Sequence, residues 1–223
     1  MFTSGRQFKD AIYGQFARVG QATASPRRLE LLDLLGQSPR TVEALAGETG
    51  MSVANASQHL QALRAAGLVA TTKRGLHVTY RLAGEDVATL FASVRGVAER
   101  HLVEVERDSR AFFGSLDEFE PIDRRELLER SRRGDVAIID VRPPVEYALA
   151  HLAGAISLPL PELSARLADL TREREIVAYC RGPYCVMALE AVRFLRARGF
   201  RARRLEDGVR EWAARGLPLE PAA

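Results

Sequence analysis

The only two cysteines of this 223-residue chain lie in one short loop, Tyr179-Cys180-Arg181-Gly182-Pro183-Tyr184-Cys185-Val186. It stands between an apolar run, Ile176-Val177-Ala178-Tyr179, and a helical pattern from Met187 to Arg198, so the spacing predicts strand, loop and helix in that order. The first N–H groups of a helix have no partner within it and carry partial positive charge, so they favour an anion. A thiol held there ionises more easily, which makes Cys180 the expected nucleophile. Arg181 places a cation beside it and favours an anionic donor. Gly182 lets the backbone curl closely, Pro183 limits its freedom, and the amides from 181 to 186, including those of Tyr184 and Val186, complete an anion-binding loop.

The surrounding pattern alternates. Helical spacing over 124–131 precedes a strand at Val136 to Val141, a helix near Val145 to Ala150 and a short strand around Ala155-Ile156-Ser157. A helix from Pro161 to Leu170 comes next, then the strand into Cys180, its helix, a strand near Arg201 to Leu205 and a helix from Val209 to Gly216. Alternation of this kind predicts an α/β domain with a largely parallel sheet, whose strand C-termini carry the site. Asp140 and Arg142 end a neighbouring strand, and they either orient the loop or form a structural ion pair. His151 and Trp212 are read as packing and hydrogen-bonding residues.

The ordered runs Ile138-Ile139-Asp140-Val141-Arg142-Pro143-Pro144-Val145-Glu146-Tyr147, His151 to Ile156, the cysteine loop and Leu205 to Trp212 resemble a rhodanese domain over residues 122–220. The resemblance implies that Cys180 accepts sulfane sulfur from a small anion (thiosulfate, persulfide or polysulfide), holds it as a persulfide and passes it on. Cys185 departs from simple sulfurtransferases. It either attacks that persulfide, closing a disulfide or polysulfide bridge, or is a small buried hydrophobe.

The N-terminal half has a different grammar. Apolar residues at helical spacing (Phe8, Ile12, Phe16 and Val19) give a first helix, and a second runs from a Ser25 cap with Pro26 inside it to Leu35, with Gly36 as its stop. Thr41 and Ser52 cap two short helices joined by a glycine-containing turn, a helix-turn-helix outline. In its second helix Val53, Ala56, Leu60 and Leu63 form the expected buried side, leaving Asn55, Ser57, Gln58 and Gln61 outward. Such amide-rich faces suit the reading of adenine edges, though a solvated face has the same composition. Two β-rich runs from Leu68 to Leu82 enclose a basic tip, where Lys73, Arg74 and His77 would meet DNA beside the helix. Residues 25–83, with "HLQALRAAGLV" before "KRGLHVTYRL", resemble the ArsR-type winged helix-turn-helix repressors. No cysteine pair stands where metal-sensing members carry one. His101-Leu102-Val103-Glu104 matches half of another family metal site without its companion half, so no metal and no cofactor is expected.

A helical stripe from Asp86 to Phe113 is too long for a small wing domain to cover, so a partner helix is expected. The resemblance implies dimerisation through the first and last helices, hence a homodimer on double-stranded operator DNA. The expected division is a DNA-binding and dimerisation domain at 1–114, a linker at 115–121 and a rhodanese-like domain at 122–220. Lys and Arg outnumber Asp and Glu by 14 to 11 up to Gly114 and are balanced, 18 to 18, beyond it, a weak pointer to nucleic acid in the first half. No apolar run is long enough for a membrane span, and the N-terminus leads into no signal-peptide core, so a cytoplasmic protein without a membrane partner is expected. The leading functional expectation is a DNA-binding regulator that senses reactive sulfur or redox state through Cys180 and Cys185. The alternatives are a thiosulfate or persulfide sulfurtransferase whose DNA-binding half only autoregulates, and arsenate-reductase or phosphatase-like chemistry, which the short loop disfavours.

Overall fold

The computed structural model describes residues 2–75, 77–114 and 121–221. The chain divides into two compact units, residues 1–103 and 104–223. The expected linker, 115–121, lies almost wholly outside the described residues.

In the first unit α1 (Gly5–Thr23) and α2 (Pro26–Gln37) precede a short strand β1 (Arg40–Thr41), α3 (Val42–Thr49) and α4 (Val53–Ala65). A hairpin of β2 (Val69–Arg74) and β3 (His77–Leu82) follows, then α5 (Glu85–His101). The three strands form an antiparallel sheet in the order β1-β3-β2. Side-chain caps set the helix starts: Thr41 accepts from the Ala44 amide at 3.3 Å and Ser52 from the Asn55 amide at 3.2 Å, while Ser25 caps by position alone. Gly50, at φ 65°, closes α3 in the left-handed region that glycine enters without cost, fixing the turn into α4. Leu31, Leu32, Leu45, Leu60 and Leu63 are buried together where α2, α3 and α4 meet.

Three sequence expectations are corrected here. Gly36 does not stop α2, which continues to Gln37. Val53 is 46% exposed, because it opens the first turn of α4 ahead of the packed stripe. The helix expected from Asp86 to Phe113 is interrupted at Leu102, whose backbone is extended at φ −110° and ψ 104°. It forms α5 and a separate α6 (Val103–Phe113) that buries no residue. One residue leaving helical angles does not disturb an i, i+3, i+4 apolar pattern, so periodicity alone joins the two helices.

The second unit holds α6, α7 (Arg124–Arg133), β4 (Val136–Asp140), α8 (Pro144–Leu149), β5 (His151–Leu152), β6 (Ile156–Ser157), β7 (Glu175–Tyr179), α9 (Met187–Arg196), β8 (Ala202–Arg204), α10 (Val209–Ala213) and β9 (Leu219–Glu220). A parallel sheet runs β6-β4-β7-β8, and β5 pairs antiparallel with β9. The helix expected from Pro161 to Leu170 is instead two short 3-10 turns, at Leu160–Glu162 and Leu167–Asp169. Both sheet faces are covered. Along β7, Ile176 and Ala178 face one core, with Ala191, Val192 and Leu195 of α9, while Val177 and Tyr179 face the other, with Leu127 and Trp212. Strand alternation therefore assigns Cys180, the next residue in phase with Ala178, to the α9 side.

Leu60 is fully buried in the first core, so Leu60→Ala is expected to lower stability by about 2–5 kcal/mol, read as a shifted midpoint in urea unfolding followed by helix circular dichroism.

Candidate functional site

The cysteine loop leaves the C-terminal end of β7 and enters α9. Gly182 has φ 143°, and a side chain there would begin 3.1 Å from a carboxylate oxygen of Glu211. A Cβ on Gly208 would fall 2.4 Å from the Arg181 carbonyl carbon, so the segment before α10 packs directly on the loop backbone. Glu211 holds that segment by accepting from the Gly208 amide at 2.9 Å. Within the loop the Cys185 amide donates to the Gly182 carbonyl at 3.1 Å, closing a tight turn.

A buried chain of charges anchors the loop. Asp140 accepts from Tyr179 Oη at 2.6 Å and from Arg142 Nε and Nη2 at 2.9 and 2.6 Å. Arg142 also donates to the Ala150 carbonyl at 2.8 Å and lies 3.8 Å from Glu146. Glu146, whose side chain is fully buried, takes Arg181 through Nε at 3.0 Å and Nη2 at 2.6 Å. Two acids and two guanidiniums thus neutralise one another between the sheet and the loop. Asp140 and Arg142 form the ion pair that was one of their two readings, and its partners lead to the loop. Burial, then the Asp140 charge, pushes the Tyr179 hydroxyl well above its ordinary range, so it stays a donor to Asp140.

Cys180 and Cys185 are free thiols, the first buried and the second half-buried. The Cys180 thiol donates to the Cys185 carbonyl oxygen at 3.5 Å. The amides of Gly182 and Ala188 favour the ionised form of Cys180, and those of Arg181 and Met187 that of Cys185. Each thiolate is therefore favoured by one loop amide and one amide from the first turn of α9. Burial acts against the ease of ionisation expected for Cys180. Burial, and then the Cys185 sulfur beside it, push the Cys180 thiol well up, whereas the hydrogen bond from Cys180 brings Cys185 down to about 7. The expectation for Cys180 weighed the helix end without the loss of water around a sulfur that is 2% exposed. Arg181, expected as a cation facing the donor, is turned to Glu146.

Pro183 is half-buried, and Tyr184 and Val186 are 44% and 39% exposed, so the mouth of the loop is largely apolar. His151 is buried, with its ring stacked on Tyr147 and Nδ1 3.0 Å from the Tyr147 carbonyl; Trp212 donates to the Pro218 carbonyl at 3.1 Å. Sequence reasoning missed Glu146, Gly208 and Glu211 as supports of the loop. All three lie within the runs that resemble a rhodanese domain, but nothing in their spacing reports the contacts.

In the first unit Asn55, Gln58 and Gln61 are exposed along α4, Ser57 is half-buried, and Ser52 is exposed while its hydroxyl caps the helix. Lys73 is exposed on β2; Arg74 and His77 are register partners across the hairpin, and their side chains lie outside the described residues. His101 is exposed at the end of α5. Among the described residues no group of three or more His, Cys, Asp or Glu is placed to hold a metal, and no helix is long and apolar enough to cross a membrane.

Two measurements address the loop. Because Cys185 ionises at about 7, its alkylation by iodoacetamide is expected to rise with pH, reach half its maximum near 7 and level off above it, while Cys180 reacts far more slowly throughout. Trypsin cuts after Arg181 and separates the two cysteines into different peptides for mass spectrometry. Gly208→Ala pushes the loop off its support and is expected to move that midpoint upward toward the ordinary thiol value of about 8.5.

Residues 25–71 match the bacterial regulatory protein arsR family and residues 123–215 the rhodanese-like domain family. The chain is 50% identical over 215 residues to the HTH-type transcriptional regulator Rv0324 of Mycobacterium tuberculosis, covering 96% of this chain and 94% of that protein. The C-terminal half is 31% identical over 100 residues to a sulfurtransferase of Allochromatium vinosum, covering 44% of this chain and 92% of that one. Among solved structures, the homodimeric winged helix-turn-helix DNA-binding domain of Mb0332 from Mycobacterium bovis is 52% identical, covers 46% of this chain and 93% of that chain, and has a TM-score of 0.42. Since the likeness to the M. tuberculosis regulator spans both units, the chain belongs to the HTH-type transcriptional regulators that join an ArsR-family winged helix to a C-terminal rhodanese-like domain.

Proposed function

We propose that this regulator binds double-stranded operator DNA as a homodimer and that sulfane sulfur arriving at Cys180 and Cys185 changes its affinity for that DNA. The observation that carries the reading is the dithiol itself: two free cysteines in one tight turn at the start of α9, with the Cys180 sulfur 3.5 Å from the Cys185 carbonyl oxygen. That arrangement stabilises a persulfide anion and keeps a second thiol within reach of it. An inert second domain has no need of either property.

DNA contact is assigned to Asn55, Ser57, Gln58 and Gln61 on α4, with Ser52 at its start and Lys73, Arg74 and His77 on the hairpin. Support comes from the exposed amide face and from the family match over this segment. Dimerisation is assigned to α1 and α5, which expose Phe8 (49%), Phe16 (63%) and Val97 (51%) to water. Apolar side chains grouped in this way mark an association surface. A two-fold pair would present two α4 helices to a palindromic site.

A second reading, a sulfurtransferase whose DNA-binding half controls only its own expression, is favoured by the 31% identity to the A. vinosum sulfurtransferase. One experiment separates the two. Affinity for DNA from upstream of the gene is measured before and after polysulfide treatment, with Cys180→Ser as control and thiocyanate formation from thiosulfate and cyanide followed in parallel. Sensing is expected to shift the affinity by about 5- to 150-fold, the usual size of coupling between sites, and only in the protein with both thiols. Unchanged binding with steady thiocyanate production would favour the enzyme.

A further inference from the structure

We propose that the cavity where α1, α2 and α4 meet in the first unit binds a small carboxylate, held between the guanidiniums of Arg18 and Arg28. The site is separate from the cysteine loop and does not depend on sulfur chemistry.

The cavity has a volume of about 190 Å³, and its walls include Arg18, Gln21 and Ala22 of α1, Arg28 of α2 and Ala62 and Ala65 of α4. No acid lines it. Arg18 donates to Gln15 Oε1 and to the Ala65 carbonyl, both at 2.8 Å, and Arg28 donates to the Gln21 carbonyl at 2.9 Å. Among the described residues neither guanidinium is paired with a carboxylate. A guanidinium has five N–H donors, so these bonds leave several over. One of them, Arg28 Nε, is buried with no hydrogen-bond partner among the described residues. A buried donor in that state carries a desolvation cost that an acceptor in the cavity removes.

The lining selects the ligand. Two like charges facing one concavity repel, and an anion between them replaces that repulsion with two attractions. The planar fork of a guanidinium matches the two oxygens of a carboxylate. Alanine methyl groups form much of the remaining wall, which suits a short hydrocarbon body better than a strongly hydrated oxyanion such as sulfate. At about 30 Å³ per water the cavity has the volume of roughly six waters, which limits the ligand to a small acid. Bound there, it touches both the helix assigned to dimerisation and the helix assigned to DNA reading.

The test follows backbone amide NMR shifts of the full-length protein during titration with butyrate or with sulfate at constant ionic strength. Butyrate is expected to move the amides of Gln21, Ala22, Ala62 and Ala65 to saturation, and to do so at lower concentration than sulfate. Arg18→Gln and Arg28→Gln are each expected to weaken butyrate binding at least about tenfold, the scale of a lost hydrogen bond to a charged group. Ala62→Leu fills the cavity without changing its charge and is expected to abolish binding, while the amide spectrum of each variant reports whether it is folded. Sulfate binding as tight as butyrate would mark an adventitious ion only and overturn the carboxylate assignment. Shifts that never saturate, or a butyrate affinity unchanged in all three variants, would overturn the site. Operator affinity lost in Arg28→Gln, with no response of wild type to butyrate, would overturn it in favour of contact with a DNA phosphate.

Discussion

A guanidinium beside the cysteine loop needs an anion, and the fold supplies one from its interior rather than from a substrate. Glu146 grips Arg181 with both carboxylate oxygens, Arg142 approaches Glu146, and Asp140 binds Arg142 while accepting from Tyr179. Each of these charges gives up several kcal/mol of hydration on burial, which only its partners can offset. The chain closes at zero net charge, and removing any member strands a charge in the protein interior. Loop position, strand ends and the start of α8 are therefore set by one electrostatic condition.

That condition decides what the loop presents outward. With Arg181 turned to Glu146, the donors around sulfur are backbone amides and the neighbouring thiol. Amides fixed by Gly182 at a positive φ and by the close approach of Gly208 cannot swing away, so the site is preorganised by backbone rather than by long flexible side chains. The two thiols do not ionise independently of each other.

The N-terminal unit obeys a simpler constraint. Leucines of α2, α3 and α4 bury one another, and the exposed strip left on α4 is rich in amides and hydroxyls. Its short helices gain definition from caps at Thr41 and Ser52 and from the left-handed Gly50 between them. The apolar residues left outside on α1 and α5 are what a single copy of this unit cannot cover.

Much of this was legible in the residues. Short apolar runs alternating with helical patterns gave the parallel strands, caps and glycines gave the helix-turn-helix, and the only two cysteines pointed to the loop, because these signals are local. Helix ends were less secure: the break at Leu102 and the 3-10 turns at 160–162 and 167–169 leave apolar spacing intact. The sequence by itself determined two domain types and a thiol at a helix N-terminus. Only the tertiary structure decided that Glu146 claims Arg181, that Gly208 and Glu211 brace the loop, and that Cys180 is buried while Cys185 is only partly so. Those outcomes depend on burial and on contacts between residues up to 35 positions apart, and neither is written in the spacing of the chain.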